Sequence, residues 1–405
     1  MWWETPGLGV VDGRLLIAGR DAEELARKGG TPVYAFDLEN ISEQIRSLQS
    51  AFEHADLPFR YRYAMKANRE PEVLSHIRNL GNVGLDVCSP GELTRGLESG
   101  WSAGEISYTG TNVSERDLDV ILDSGVHVNL DLLSQLRRFG RRAPGSRCGI
   151  RVNPRAGAKW EEDSKSIYSS ETRPTKFGIY REDLPRALEI AAGYDLTIDA
   201  VHLHVGDGFL DAGLPKFGAA VENAAEMTAW LIEQGQPVAE VNVGGGLGVP
   251  QREGDEALDV DAYAALLGRH LGELGVTIAC EPGDYTAKRA GVLLVEVVTV
   301  EERLGTLFVG TDAGFNVGPE RFIYSSPQPV VLCRNADGDV GPSGPATVSG
   351  NINEGPDLWG EKVPLPEVRE GDILAILNIG TYNQSMSMLH CLRPPASAVY
   401  FTDRT

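Results

Sequence analysis

Residues 61–67 read YRYAMKA, and EPEVLSHIRNL (70–80) follows with apolar residues at three- and four-residue steps. A short strand-like run followed by an amphipathic helix makes one βα unit. Working outward, the alternation recurs through VGLDV (83–87), ISYTG (106–110), VHVNLD (126–131), CGIRVNP (148–154), AVHLHVG (200–206), EVNVGGG (240–246) and IACEPG (278–283). SERDLDVILDSG (114–125), REDLPRALEIAAGY (181–194) and AAVENAAEMTAWLIEQG (219–235) supply helical text between them. Eight strand–helix units predict an α/β chain built on a closed (β/α)8 TIM barrel, expected over 33–288.

Beyond residue 288 the text becomes strand-rich with turn signals: LLVEVVTV, TLFVGTD, PQPVVLC, DILAILNIG and ASAVYF. This predicts a mostly antiparallel β domain over 289–405, which residues 1–32, with the strand-like GRLLIAG, are expected to join. One long polar insertion, 155–176, follows a barrel strand and is expected to act as a lid.

Composition narrows the function classes. The 405 residues carry 37 Lys plus Arg against 58 Asp plus Glu, and a net charge of -21 argues against nucleic-acid or anionic-membrane partners. No apolar run reaches the roughly 18 residues of a membrane span, and MWWETPGLGVVDGR lacks the order of a signal peptide, so a cytoplasmic location is expected. Cys88, Cys148, Cys280, Cys333 and Cys391 never occur as CxxC, which indicates neither a disulfide framework nor a metal site.

A barrel builds its site at the C-terminal strand ends, and polar residues fall there. Lys66, Asp86, Arg151 with Asn153, His204, Gly244–Gly245–Gly246 and Glu281 close six different strands. Three glycines let backbone N–H groups approach an anion. A glutamate can hold a pyridine nitrogen protonated, and a histidine can lie against a ring. The set suits pyridoxal 5'-phosphate (PLP), with Lys66 as its Schiff-base lysine; His202 reads as a core histidine.

YAMKAN, GLDVCSPGEL, YTGTNVSERDL, RVNP, KFGI, HLHVG, GGGLG and EPG together resemble the diaminopimelate and ornithine decarboxylase group, in order and spacing, over nearly the whole chain. The resemblance implies the alanine-racemase-like PLP fold and a homodimer with shared active sites. It also implies Lys66 as cofactor lysine, His204 as ring stacker, Gly244 to Gly246 as phosphate cradle, Glu281 as pyridinium partner and Tyr382 of GTYNQSMS as a phosphate contact.

Three departures stand out. In GNINEGPDLWG, Asn353 occupies the family's catalytic cysteine position, while Glu354 and Asp357 are kept and are expected to hold substrate ammonium groups. A carboxamide cannot protonate Cα, so Lys66, a tyrosine or water is expected to do so, or the outcome differs. Cys391 reads as a small buried apolar residue rather than a relocated acid. The family's phosphate-side serine and arginine are Asp207 and Asp284, and an aspartate ~4 Å from a phosphate oxygen costs about 1 to 4 kcal/mol. Both are therefore expected to point away or toward Lys288 or Arg289. In DAGFNVGPERFIYSSP, Glu320 falls at the arginine that clamps a distal carboxylate, with Arg321 beside it as the alternative clamp.

The expected function is a PLP-dependent decarboxylase of a small polar amino acid. The alternatives are a racemase or decarboxylation-dependent oxidative deaminase, and a non-catalytic homologue that binds a protein partner.

Overall fold

The structure, a computed structural model, describes residues 1–159, 167–334 and 344–404. It divides into two compact units, one of Gln44–Val249 with Glu256–Thr286 and one of Met1–Glu43, Pro250–Asp255 and Ala287–Thr405.

The first unit is the barrel. Its strands are β1 (Phe59–Ala64), β2 (Val83–Val87), β3 (Ile106–Gly110), β4 (His127–Leu130), β5 (Arg147–Asn153), β6 (Thr197–His202), β7 (Glu240–Asn242) and β8 (Thr277–Cys280). Each pairs in parallel with the next, and β8 pairs with β1, which closes the sheet. Strands covered on both faces read as near-continuous apolar runs, which is how they stand out in the sequence. The helices begin where the caps dictate. Ser89 accepts from Glu92 N ahead of Pro90, and Ser114 and Asp117 form a capping box that opens Glu115–Ser124. Gly125, at φ 70, ends that helix in the left-handed conformation.

The second unit is a mostly antiparallel β domain. Gly291–Arg303 runs antiparallel to Val33–Asp37, Ile373–Ile376 and Thr306–Thr311. Ser397–Phe401 adds in parallel to Val33–Asp37. Under this sheet Leu15, Ile17, Ala22, Ala26, Val33, Val292, Leu294 and Leu377 form a buried core, each large aliphatic side chain stabilising by about 1.5–3 kcal/mol. The expected boundary at 32/33 therefore moves. VYAFD precedes a helix and looks like a first βα unit, but its hydrogen bonds go to strands more than 250 residues away, which periodicity cannot register.

Candidate active site

Lys66 lies two residues past the end of β1, in a turn docked on β2 by Met65 N–H donating to Asp86 O at 3.1 Å. It is half-buried, and among the described residues no hydrogen bond or ion pair reaches its ammonium. Burial works against its charge, yet Asp86, then Cys88, Tyr168 and Glu281, hold it above the usual lysine range.

Two carboxyls share this rim and divide their roles. Glu281 is buried; its Oε1 accepts from Asn242 Nδ2 at 2.5 Å and its Oε2 meets His202 Nε2 at 3.0 Å. Burial opposes ionisation, but the His202 charge and hydrogen bond, with Lys66 and Arg62 behind them, pull the carboxyl down to about 2. Asp86 goes the other way: burial, and next the repulsion of Glu281, push it up, and its Oδ1 has no hydrogen-bond partner. Two neighbouring buried acids repel one another in this way, so that one is favoured ionised and the other resists ionisation.

His204 is pushed well below the usual histidine range by burial and by the positive Lys66 and Arg151. Its Nδ1 accepts from Gly245 N–H at 3.3 Å, which fits a neutral ring. The Tyr168 ring stands edge-on to it, 4.4 Å between centroids. Arg151 stacks on Phe177 at 4.4 Å and lies 3.7 Å from buried Asp131, which also accepts from Gly178 N–H. Asn153 is a hub: its amide reaches Thr175 Oγ1 and Phe177 O, and its oxygen accepts from Ser169 Oγ and Arg155 N. It thus ties together both ends of the insertion expected to be a lid, of which residues 160–166 lie outside the described residues.

A match to the family described as "Pyridoxal-dependent decarboxylase, pyridoxal binding domain" covers residues 38–288. The chain belongs to that family. It is 37% identical to a diaminopimelate decarboxylase of Methanothermobacter thermautotrophicus across 97% of this chain and 92% of the relative. The diaminopimelate decarboxylase of Escherichia coli K12 is 31% identical across 94% and 91%. The crystal structure of diaminopimelate decarboxylase from Helicobacter pylori complexed with L-lysine superposes with a TM-score of 0.85, at 26% identity and 94% coverage of both chains. The chain is a PLP-dependent decarboxylase, a lyase of amino-acid biosynthesis.

The rim fits PLP: an unpartnered lysine amine, an ionised buried carboxylate and an orphaned Asp86 oxygen lie at one end of the barrel. The glycine run is different from a three-donor nest. Gly244 N–H donates to Asn242 Oδ1 at 3.0 Å and Gly245 N–H to His204, which leaves Gly246 N–H without a partner among the described residues. The glycines are required by packing, since a Cβ on Gly245 would meet Glu281 O at 2.3 Å and one on Gly244 would meet Leu203 O at 2.5 Å. His202 is a second correction. It is a member of the site through Glu281, and its Nδ1 is buried and unpartnered.

The β-domain residues depart further from expectation. Glu320, expected at the substrate's distal end, is 2% exposed and paired with Lys288, itself 0% exposed. Asn383 Nδ2 donates to Glu320 Oε2 at 3.0 Å, and Gln328 Nε2 to Asn383 Oδ1 at 3.2 Å. A charge inserted next to a buried lysine is neutralised in place rather than presented. Arg289, the other expected neighbour of Asp207 and Asp284, donates to the carbonyls of Trp3 and Glu4. Arg321 is half-buried, donates through Nε to Leu358 O at 3.2 Å, and makes no ion pair at contact distance among the described residues; burial lowers its pKa, against the attraction of Glu361.

Asp357 gives Oδ1 to Phe315 N–H and Oδ2 to Ile352 N–H, so it organises the loop that carries Asn353. Asn353 and Glu354 are exposed, and Glu354 meets His390 at 3.1 Å. Cys391, beside that histidine and at φ 53, is exposed rather than buried. Tyr382, also at positive φ, sits edge-on to Tyr324 with 5.9 Å between centroids. Sequence reasoning missed Asn242, Asp131 and Tyr168. Asn242 was legible by its two-residue offset from Gly244, as His202 was from His204, whereas Tyr168 lies in an insertion without periodicity.

Proposed function

We propose that the chain decarboxylates diaminopimelate at one α-carbon, releasing CO2 and lysine. The observation that carries this reading is Arg321, a half-buried guanidinium with Glu361 in its field but no contact ion pair among the described residues, next to a glutamate whose charge Lys288 has already cancelled. The substrate end is then cationic, suited to bidentate capture of a distal carboxylate.

Bound PLP supplies an electron sink for the pair left when the C–CO2 bond breaks. Lys66 would hold the cofactor through its amine and Glu281 the ring nitrogen, with neutral His204 against the ring face. Arg151 and Asp86 would complete the rim. Gly246 N–H would bind phosphate. With Asn353 unable to donate, the proton for Cα is assigned to the Lys66 ammonium, which its acidic neighbours keep charged. Glu354, rather than Asp357, is left to meet a substrate ammonium.

Arg321→Met is expected to raise KM for diaminopimelate on the order of 10²-fold with kcat little changed. An unchanged KM would remove Arg321 from the reading. Assaying CO2, chirality and aldehyde separately distinguishes decarboxylation from racemisation and oxidative deamination. A homodimer with shared sites predicts that mixing inactive Lys66→Ala subunits with high-KM Arg321→Met subunits yields hybrid dimers with one site whose KM returns toward wild type.

A further inference from the structure

We propose that His202 and Asn242 are positioning residues that fix the orientation and charge of Glu281 toward the cofactor's ring nitrogen. The inference deepens the reading above and rests on Glu281 being that partner.

The hydrogen-bond directions leave one assignment. Gly244 N–H is a donor, so the Asn242 group facing it at 3.0 Å must be the carbonyl oxygen. The Asn242 amide nitrogen therefore faces Glu281 Oε1, at 2.5 Å, and that oxygen must accept. On the other side His202 Nε2 stands 3.0 Å from Oε2. An ionised carboxylate is acceptor-only, so Nε2 carries the proton. Glu281 N–H donates to Gly244 O at 2.8 Å, closing a ring of bonds between the ends of β7 and β8.

The carboxylate is thus gripped at both oxygens by neighbours on two different strands, with one lone pair on each still available. Its other charged surroundings are Arg62 and Lys66 by β1, Asp86 in β2 and Arg151 in β5. Among these contacts only His202 and Asn242 make hydrogen bonds to it, so they set its direction and the rest set the field.

The test uses the full chain loaded with PLP and four variants: His202→Leu, His202→Gln, Asn242→Asp and Glu281→Gln. The readouts are the pH titration of bound-cofactor absorbance, the Kd for PLP added to apoprotein, and kcat and KM for the substrate. His202→Leu is expected to shift the absorbance titration and lower kcat about 10- to 100-fold, with KM within about threefold. His202→Gln keeps an N–H donor and is expected to recover most of the loss. Asn242→Asp keeps the acceptor for Gly244 N–H, removes the donor to Glu281 and sets a second carboxylate against it. It therefore separates steering of Glu281 from bracing of the loop, and remains informative if His202→Leu does not fold.

If Glu281→Gln alters the absorbance titration and kcat while Asn242→Asp and the folded His202 variants match wild type, the proposal is wrong. If Glu281→Gln alters neither, Glu281 is not the cofactor's partner and the reading beneath the proposal fails instead.

Discussion

Glu281 in the barrel and Glu320 in the β domain are both buried carboxylates, yet their partners give them opposite uses. Glu281 is held by a histidine and an amide, which orient it and leave acceptor capacity. Glu320 is held by Lys288 and Asn383, and a full countercharge at contact consumes it. A buried acid is available for chemistry when its partners are weaker donors than a permanent cation, and becomes scaffold when one is supplied.

The strongest way to break this contrast is to delete each acid. Glu281→Ala is expected to lower kcat on the order of 10²- to 10⁴-fold while the fold persists, checked by steady-state kinetics beside circular dichroism. Glu320→Ala leaves Lys288 buried and unpaired and is expected to destabilise the chain by about 3–5 kcal/mol in urea unfolding. Replacing both members, Lys288→Met with Glu320→Leu, is expected to recover most of that stability, because an apolar pair has no charge to desolvate.

Acid sharpens the comparison. The folded value of Glu281 lies near 2, below the ordinary 4.5, so ionisation favours the folded state. That contribution is complete above about pH 4.5 and is lost as pH falls toward 2, and the stability gap between wild type and Glu281→Gln is expected to close over that window. Asp86 has the opposite sign: its raised value contributes at low pH and that contribution is lost as pH rises. The smallest effect is expected at Glu354→Gln, where the exposed pair with His390 is worth less than about 1 kcal/mol in thermal unfolding.

The barrel was legible because all eight strands are short apolar runs joined by local helices, and the family motifs fall at their ends. The placement of the candidate cofactor residues was legible for the same reason: Lys66, Asp86, His204 and Glu281 each end or follow a strand. What the sequence did not disclose depends on long-range pairing. Nothing near Glu320 announces that Lys288 will cancel it, and nothing near VYAFD announces a strand partner at Ser397–Phe401. His202 was misread because alternation gives the face a side chain occupies but not which acid waits there.

The pairing of Val33–Asp37 with Ser397–Phe401 has a consequence for synthesis. Arg404 bonds Asp37 and Glu43, so Val33–Asp37 gains its second strand neighbour only after residues 397–404 have left the ribosome. The whole barrel is translated in the interval and can complete its hydrogen bonds first. Residues 397–404 thus act as a clasp, and a ribosome that stops short of residue 397 releases a chain in which Val33–Asp37 has an uncovered edge.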